Sequence, residues 1–303
     1  MSARPEERPV AASQRPKTTV LTFAEKRRRG EKLTMLTAYD YPGAKLVDEA
    51  GVDAILVGDS LAMVVLGHPN TLSVTMDEML HHARAVSRGA SRALLIGDLP
   101  FMSYQADARE AVRNAGRFVQ EAGMDAVKLE GGRAFAETAR AIARAGIPVM
   151  GHVGLTPQSV NMLGGWRVQA RTAESARALL DDALALQEAG CFAVVLESVP
   201  QRLGGLVTER LEIPTIGIGA GPGTSGQVLV LHDVIGLYDR LAPRFAKRYA
   251  DLATPLRQAV EAYRAEVESG AFPGREHSYA MPEEEWQALV EGLGPRPLKV
   301  AQG

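Results

Sequence analysis

Four carboxylates stand where short apolar runs end: Asp59 after Ala54–Val57, Asp98 after Ala93–Ile96, Glu130 after Ala126–Leu129, and Glu197 after Phe192–Leu196. Crowded around one mouth, they repel one another unless a positive charge sits among them. A hard divalent cation suits that place, because Mg2+ commonly takes one or two protein carboxylates and completes its octahedron with substrate and water oxygens. Any one of these aspartates could instead cap the loop or helix that follows. Asp59 and Asp98 together, with Glu130, point to the metal. His152 and His232 raise a softer metal, but these strand-end histidines form no close pair of the kind that supports zinc.

Lys128 lies two residues before Glu130, so on an extended strand both point to the same face. If that face is interior, Lys128 can neutralise a substrate carboxylate or a developing enolate. A Schiff-base lysine and a structural Lys–Glu ion pair are the alternatives. Glu197 sits between Val194-Val195-Leu196 and Val199-Pro200, and such an apolar surround suits a general base acting on a C–H acid. Further strand-end polar residues are Tyr39-Asp40, Ser60, His152 and His232-Asp233.

These residues need a scaffold that gathers strand ends. Eight short apolar runs recur: Leu33–Thr37, Ala54–Val57, Ala93–Ile96, Ala126–Leu129, Pro148–Met150, Phe192–Leu196, Thr215–Ile218 and Val228–Leu231. They carry Val, Ile and Leu mostly without alternation, as parallel strands buried on both faces do. The spacers Asp107–Ala122 and Ala173–Ala189 are rich in Ala, Glu and Arg and are followed by Gly123 and Gly190, a helix C-terminal signal. Thr75-Met-Asp-Glu78 reads as an N-cap with acids on the helix dipole. Eight β-then-α units predict a closed (β/α)8 TIM barrel with extra C-terminal helices, and that fold keeps its active site at the C-terminal strand ends.

Some motifs are weaker than they look. Gly221, Gly223 and Gly226 match G-x-G-x-x-G, but an apolar run follows where a dinucleotide site needs a helix, so a tight loop closing strand 7 is the better reading. Cys191 is the chain's one cysteine; it reads as a small core residue and excludes an internal disulfide. Trp166 reads as loop packing, with a lid role as the lesser alternative. The run Lys26-Arg27-Arg28-Arg29 reads as a solvated helix face. A formal charge of −2 gives no global pull toward nucleic acid or an anionic membrane. No stretch approaches the roughly 20 apolar residues of a membrane span. The Pro-, Arg- and Ser-rich start lacks a signal-peptide core, so we expect a disordered leader over 1–18 and one barrel domain over 19–303 in a reducing, cytoplasmic setting.

Several strings resemble the ketopantoate hydroxymethyltransferase family: Met35-Leu-Thr-Ala-Tyr-Asp-Tyr41, Val57-Gly-Asp-Ser-Leu61, Asp98-Leu-Pro-Phe-Met102, Val127-Lys-Leu-Glu-Gly-Gly132 and Gly151-His-Val-Gly-Leu-Thr-Pro-Gln158. Leu196-Glu197 and Gly217-Ile-Gly-Ala-Gly221 extend the likeness, which runs from about Thr19 to about Tyr279. The resemblance implies transfer of the one-carbon unit of 5,10-methylenetetrahydrofolate to 3-methyl-2-oxobutanoate, giving 2-dehydropantoate and tetrahydrofolate in pantothenate biosynthesis. It implies Asp59, Asp98 and Glu130 at a Mg2+ site, keto-acid contacts from Asp59, Ser60, Asp98 and Lys128, and Glu197 as proton acceptor. It also implies a homo-oligomer, typically a decamer. Where it leads to an acidic residue before Gly226, this chain has Thr224-Ser225, which counts against a role for that loop in a folate pocket. The rival enzyme class is a lyase or mutase of the phosphoenolpyruvate/isocitrate-lyase-like barrels, which often needs a loop cysteine that Cys191 does not supply. A catalytically silent barrel would be expected to have lost some of the strand-end acids.

Overall fold

The computed structural model describes residues 16–240 and 243–293. Eight parallel strands close a barrel in sequence order: β1 Leu33–Thr37, β2 Ala54–Val57, β3 Leu94–Asp98, β4 Ala126–Lys128, β5 Val149–Gly154, β6 Ala193–Glu197, β7 Thr215–Ile218 and β8 Gly226–Leu229. The last pairs with the first, Leu33 opposite Gly226. This is the (β/α)8 barrel expected from the apolar runs. Both faces of β2 to β7 are buried, while β1 and β8 each expose one residue, Thr34 and Gln227. Met35, Leu56, Ile96, Met150, Val195 and Ile216 fill the interior, while Ile55, Leu95, Val127 and Val194 pack outward in the larger cluster that takes in the helices. Two-sided burial is why the strands read as continuous apolar runs.

Helix starts follow the predicted chemistry. Thr75 caps Met76–Gly89 in a reciprocal capping box with Glu78, and Asp107 caps Ala108–Ala122, which ends on left-handed Gly123. Such caps satisfy the free N–H groups of a first turn and are worth about 1 kcal/mol each.

Two expectations about the barrel are corrected. The eighth strand begins at Gly226 rather than Val228, and Leu231–Val234 is a short helix. Gly226 pairs with both Leu33 and Ile216, and a Cβ there would collide with Leu33; the strand therefore opens on a glycine that reads as loop. The seventh β-then-α unit is also incomplete. Residues 219–225 cross from β7 to β8 without a helix, with Gly219 and Gly221 at positive φ.

The N-terminal helix Val20–Arg29 closes the barrel's lower end. Phe23 is fully buried among the interior residues and meets Phe192 edge-on at 5.7 Å. The basic run at this helix's end is not simply a solvated face. Lys26 pairs with Asp53 at 2.7 Å, and the Arg27 guanidinium donates to the Thr208, Leu211 and Glu212 carbonyls and to Ser225 Oγ. Of the expected leader, residues 1–15 lie outside the described residues. Lys17 pairs with Asp125 at 2.7 Å, and Thr18 N–H donates to Arg92 O at 2.6 Å.

The chain divides into two compact units, Met1–Ala250 and Asp251–Gly303. The second holds the expected extra helices, Ala253–Ser269 and Glu283–Leu293. Among the described residues no helix is long and apolar enough to cross a membrane.

Candidate active site

The period-two alternation that sends Ile96, Ala126, Met150 and Val195 inward sends Asp98, Lys128, Glu130, His152 and Glu197 inward one step later. They rise together at the C-terminal rim. With Asp59 and Ser60 they line one cavity of about 410 Å³, within the range of small-molecule sites. All six residues expected to bind metal or substrate or to take the proton, Asp59, Ser60, Asp98, Lys128, Glu130 and Glu197, are therefore in the same pocket.

Lys128 Nζ lies 2.6 Å from Asp98 Oδ1 and 3.8 Å from Glu130 Oε1. The other Asp98 oxygen accepts the Asp59 N–H at 3.1 Å. His152 stands between two carboxylates, Nδ1 3.5 Å from Glu130 and Nε2 3.2 Å from Glu197. Neither approach has hydrogen-bond alignment, so both ring nitrogens and Glu130 Oε1 are buried without a partner. Ser60 Oγ shares a 2.8 Å hydrogen bond with the Tyr39 hydroxyl.

Burial, then repulsion from Asp98 and Glu130, pushes the Asp59 carboxyl well above the usual carboxylate range. Burial also raises Asp98, against the pull of Lys128. Burial would raise Glu130 too, but His152 and Lys128 outweigh it and hold it low. Burial opposes the Lys128 charge, yet three surrounding carboxylates hold it above its ordinary value. His152 follows the same balance: burial lowers it, Glu130 and Glu197 outweigh that, and it rises to about 9. Three central carboxylates thus face two cations. An unpartnered buried oxygen on Glu130 and the raised Asp59 mark where further positive charge fits. The donors are hard oxygens, as Mg2+ prefers. Among the described residues no three His, Cys, Asp or Glu side chains converge as a ready cage, so an ion here would draw much of its shell from substrate and water.

Glu197 is held by its backbone. Its carbonyl accepts Leu155 N–H at 2.9 Å, and a side chain at Gly154, where φ is +99°, would strike that carbonyl. Ser198 follows at φ +49°, an uncommon conformation for a non-glycine residue and one that clusters at functional sites.

Other strand-end candidates lie elsewhere. Asp40 caps the helix Tyr41–Glu49 by accepting from Gly43 N–H, the ordinary capping use. His232 belongs to the short helix after β8 and packs on Tyr39 at 5.4 Å; Asp233 does reach the cavity. Thr224 and Ser225 sit at the opposite end of the barrel, where Ser225 bonds Arg27 and Thr215. Cys191 is buried, its thiol pushed up to about 12 by desolvation. Trp166, Arg167 and Val168 also line the cavity. Sequence reasoning gave Gln158 no role, although its side chain touches Asp59 and its backbone touches Glu130.

The sequence profile of a family described as ketopantoate hydroxymethyltransferase matches residues 17–275. The chain belongs to this family. The match takes in every strand and every residue of the cavity. A 3-methyl-2-oxobutanoate hydroxymethyltransferase of Syntrophobacter fumaroxidans is 58% identical over 258 residues, covering 85% of this chain and 92% of that protein. One of Chloroflexus aggregans is 57% identical over 277 residues, covering 91% and 99%. Membership of the ketopantoate hydroxymethyltransferase family makes the chain an enzyme, a one-carbon transferase. Among solved structures, a phosphonopyruvate hydrolase superposes with TM-score 0.55 at 15% identity, covering 91% of this chain and 96% of that one. A 2,3-dimethylmalate lyase of the PEP mutase/isocitrate lyase superfamily gives 0.53 at 16%, covering 91% and 99%. These two likenesses are of fold.

Proposed function

We propose that the protein transfers the one-carbon unit of 5,10-methylenetetrahydrofolate to C3 of 3-methyl-2-oxobutanoate, with Mg2+ bound, giving 2-dehydropantoate and tetrahydrofolate. One juxtaposition supports the reading most directly: an Asp59–Asp98–Glu130 group neutralised only in part by Lys128, with a separate carboxylate, Glu197, on the same cavity. Asp59 and Asp98 would hold the metal, with Glu130 as the third acid. Bound there, Mg2+ supplies Lewis acidity that makes the keto acid's C3 proton easier to remove. Glu197 takes that proton. Lys128, fixed by Asp98, keeps a permanent positive charge beside the oxygens where negative charge develops. Ser60 and the buried walls orient the acid; the new carbon–carbon bond forms between C3 and the donor's methylene carbon as that carbon's bonds to the two folate nitrogens break, and one water supplies the oxygen of the new hydroxymethyl group. Trp166, Tyr238 and Phe245 line the same cavity and would be available to the donor's ring system, as Arg167 and Arg244 would be to its carboxylates. The proposal includes a homo-oligomer, as the resemblance implies, in the reducing, cytoplasmic setting expected from the single cysteine.

The lyase and mutase reading shares the barrel but lacks its loop-cysteine acid, since the single cysteine is buried and does not line the cavity. The discriminating measurement is NMR exchange of the C3 proton of 3-methyl-2-oxobutanoate in D2O. Exchange that requires both enzyme and Mg2+, without folate, is the expected result; no exchange under any metal condition would remove the proposal.

Lys128 acts through charge rather than through a covalent bond. Its amine is held protonated by three carboxylates, and a protonated amine is no nucleophile. Borohydride added with 3-methyl-2-oxobutanoate should leave the protein's mass unchanged. A reduced adduct at Lys128 would place the enzyme in a Schiff-base class instead.

A further inference from the structure

Gln158 is neutral, 5% exposed, and sits in the turn after β5. Its amide has every hydrogen-bonding position used. Nε2 donates to Asp59 Oδ2 at 3.1 Å and to the Leu99 carbonyl at 3.0 Å. Oε1 lies 3.0 Å from the Tyr104 hydroxyl and accepts from Gln105 Nε2 at 2.9 Å. An amide has two donors and two acceptor sites, so nothing is left over. The orientation is not arbitrary either. The Leu99 carbonyl can only accept, and so it fixes which end of the amide is nitrogen.

The same residue reaches a second carboxylate through its backbone, with Gln158 N–H donating to Glu130 Oε2 at 2.9 Å. Tyr104, itself buried, completes the frame: its oxygen accepts the Glu130 N–H at 3.1 Å and lies 3.0 Å from the Glu130 carbonyl. One residue therefore ties down one oxygen of Asp59 and one of Glu130. The opposite Glu130 oxygen is left buried and unpartnered, and Asp59 faces the cavity.

We infer that Gln158 is the positioning residue of the cation site, holding Asp59 and Glu130 so that each presents its other oxygen to the ion. The inference rests on the metal reading proposed above. Groups that orient metal-binding carboxylates typically change metal affinity or activity 10–100-fold when removed. The backbone bond to Glu130 survives any substitution, so the side chain's effect falls on Asp59. Gln158 is not among the residues that line the cavity, so its loss should act through the metal.

The test is calorimetry of Mg2+ with 3-methyl-2-oxobutanoate present, on wild type, Gln158→Leu and Gln158→Glu, with a thermal melt of each. Wild type should bind, and failure there would remove the metal reading itself, which is a different outcome from failure of this inference. Gln158→Leu, similar in size but without donors, should weaken Mg2+ about 10–100-fold. Its keto-acid KM should rise in step, with kcat recovering as Mg2+ is raised. Gln158→Glu keeps the acceptor for Tyr104 and Gln105 but loses the donor to Asp59, so shape alone should not rescue affinity. A merely structural role would lower Tm and leave the Mg2+ affinity of the folded variants unchanged, and that result overturns the inference. If Gln158→Leu does not melt cooperatively, Gln158→Glu decides by the same measurement. Loss of folding in both assigns Gln158 to stability and also overturns it.

Discussion

Glu197→Gln should lose hydroxymethyl transfer and C3 exchange by about 10²–10⁴-fold, the usual worth of general-base catalysis, while binding Mg2+ and keto acid at near-native affinity. The substitution keeps size and reach and removes only the ability to accept a proton. Glu197 is the right carboxylate to ask this of. Asp98 is occupied by Lys128 at 2.6 Å and by the Asp59 N–H, Asp59 by the Gln158 amide and Glu130 by the Gln158 N–H. Glu197 has the imidazole of His152 beside it at 3.2 Å and a backbone carbonyl held by the Leu155 N–H. His152 is the obvious substitute base, but the Glu130 and Glu197 carboxylates on either side of it outweigh burial and favour its protonated form, which cannot accept a proton. Deuterium exchange into 3-methyl-2-oxobutanoate without folate isolates the step. Native-rate exchange in the variant would move the proton to another acceptor, and a kcat loss with intact exchange would place Glu197 in the later bond-forming step.

The sequence made the barrel legible because eight apolar runs were separated by helix-length spacers, and β1, β2 and β7 begin and end where those runs do. It made Lys128 and Glu130 legible as a pair because spacing of two fixes a shared face. It could not say which face was interior, since strands buried on both sides carry no alternation. Asp40 and Asp59 also read alike, each polar after an apolar run. The signal that separates them was present: Asp40 precedes Tyr41-Pro42, and proline in a first helical turn marks an N-cap. Gln158 was invisible for a different reason. A neutral amide in a turn has no charge or periodicity to single it out, and its importance comes from contacts with residues 59 and 99–105 that only folding brings near. Gly226 misled in the same way, because a close strand approach is a tertiary fact.

Asp59→Ala and Asp98→Ala should both abolish Mg2+-dependent exchange and transfer, yet they should change the metal-free protein in opposite directions. Each removes one of two carboxylates, the minimum this protein offers a Mg2+ ion. Their environments differ. Asp59 pays for burial and for repulsion from Asp98 and Glu130 with a carboxyl raised well above its normal range, so deleting it relieves a conflict and leaves Gln158 Nε2 still bonded to Leu99 O. Asp98 is the close partner of a buried lysine. Deleting it strands Lys128 with Glu130 at 3.8 Å, and breaking a buried pair from one side costs about 3–5 kcal/mol. Without metal, Asp59→Ala should melt at or above the wild-type Tm and Asp98→Ala clearly below it, with Asp98→Asn between. In wild type, added Mg2+ with keto acid should raise Tm, as any ligand of the native state does, and neither alanine variant should respond. Calorimetry supplies the decisive check: unchanged ternary binding in both variants would take the metal away from these two residues, whatever their melting order.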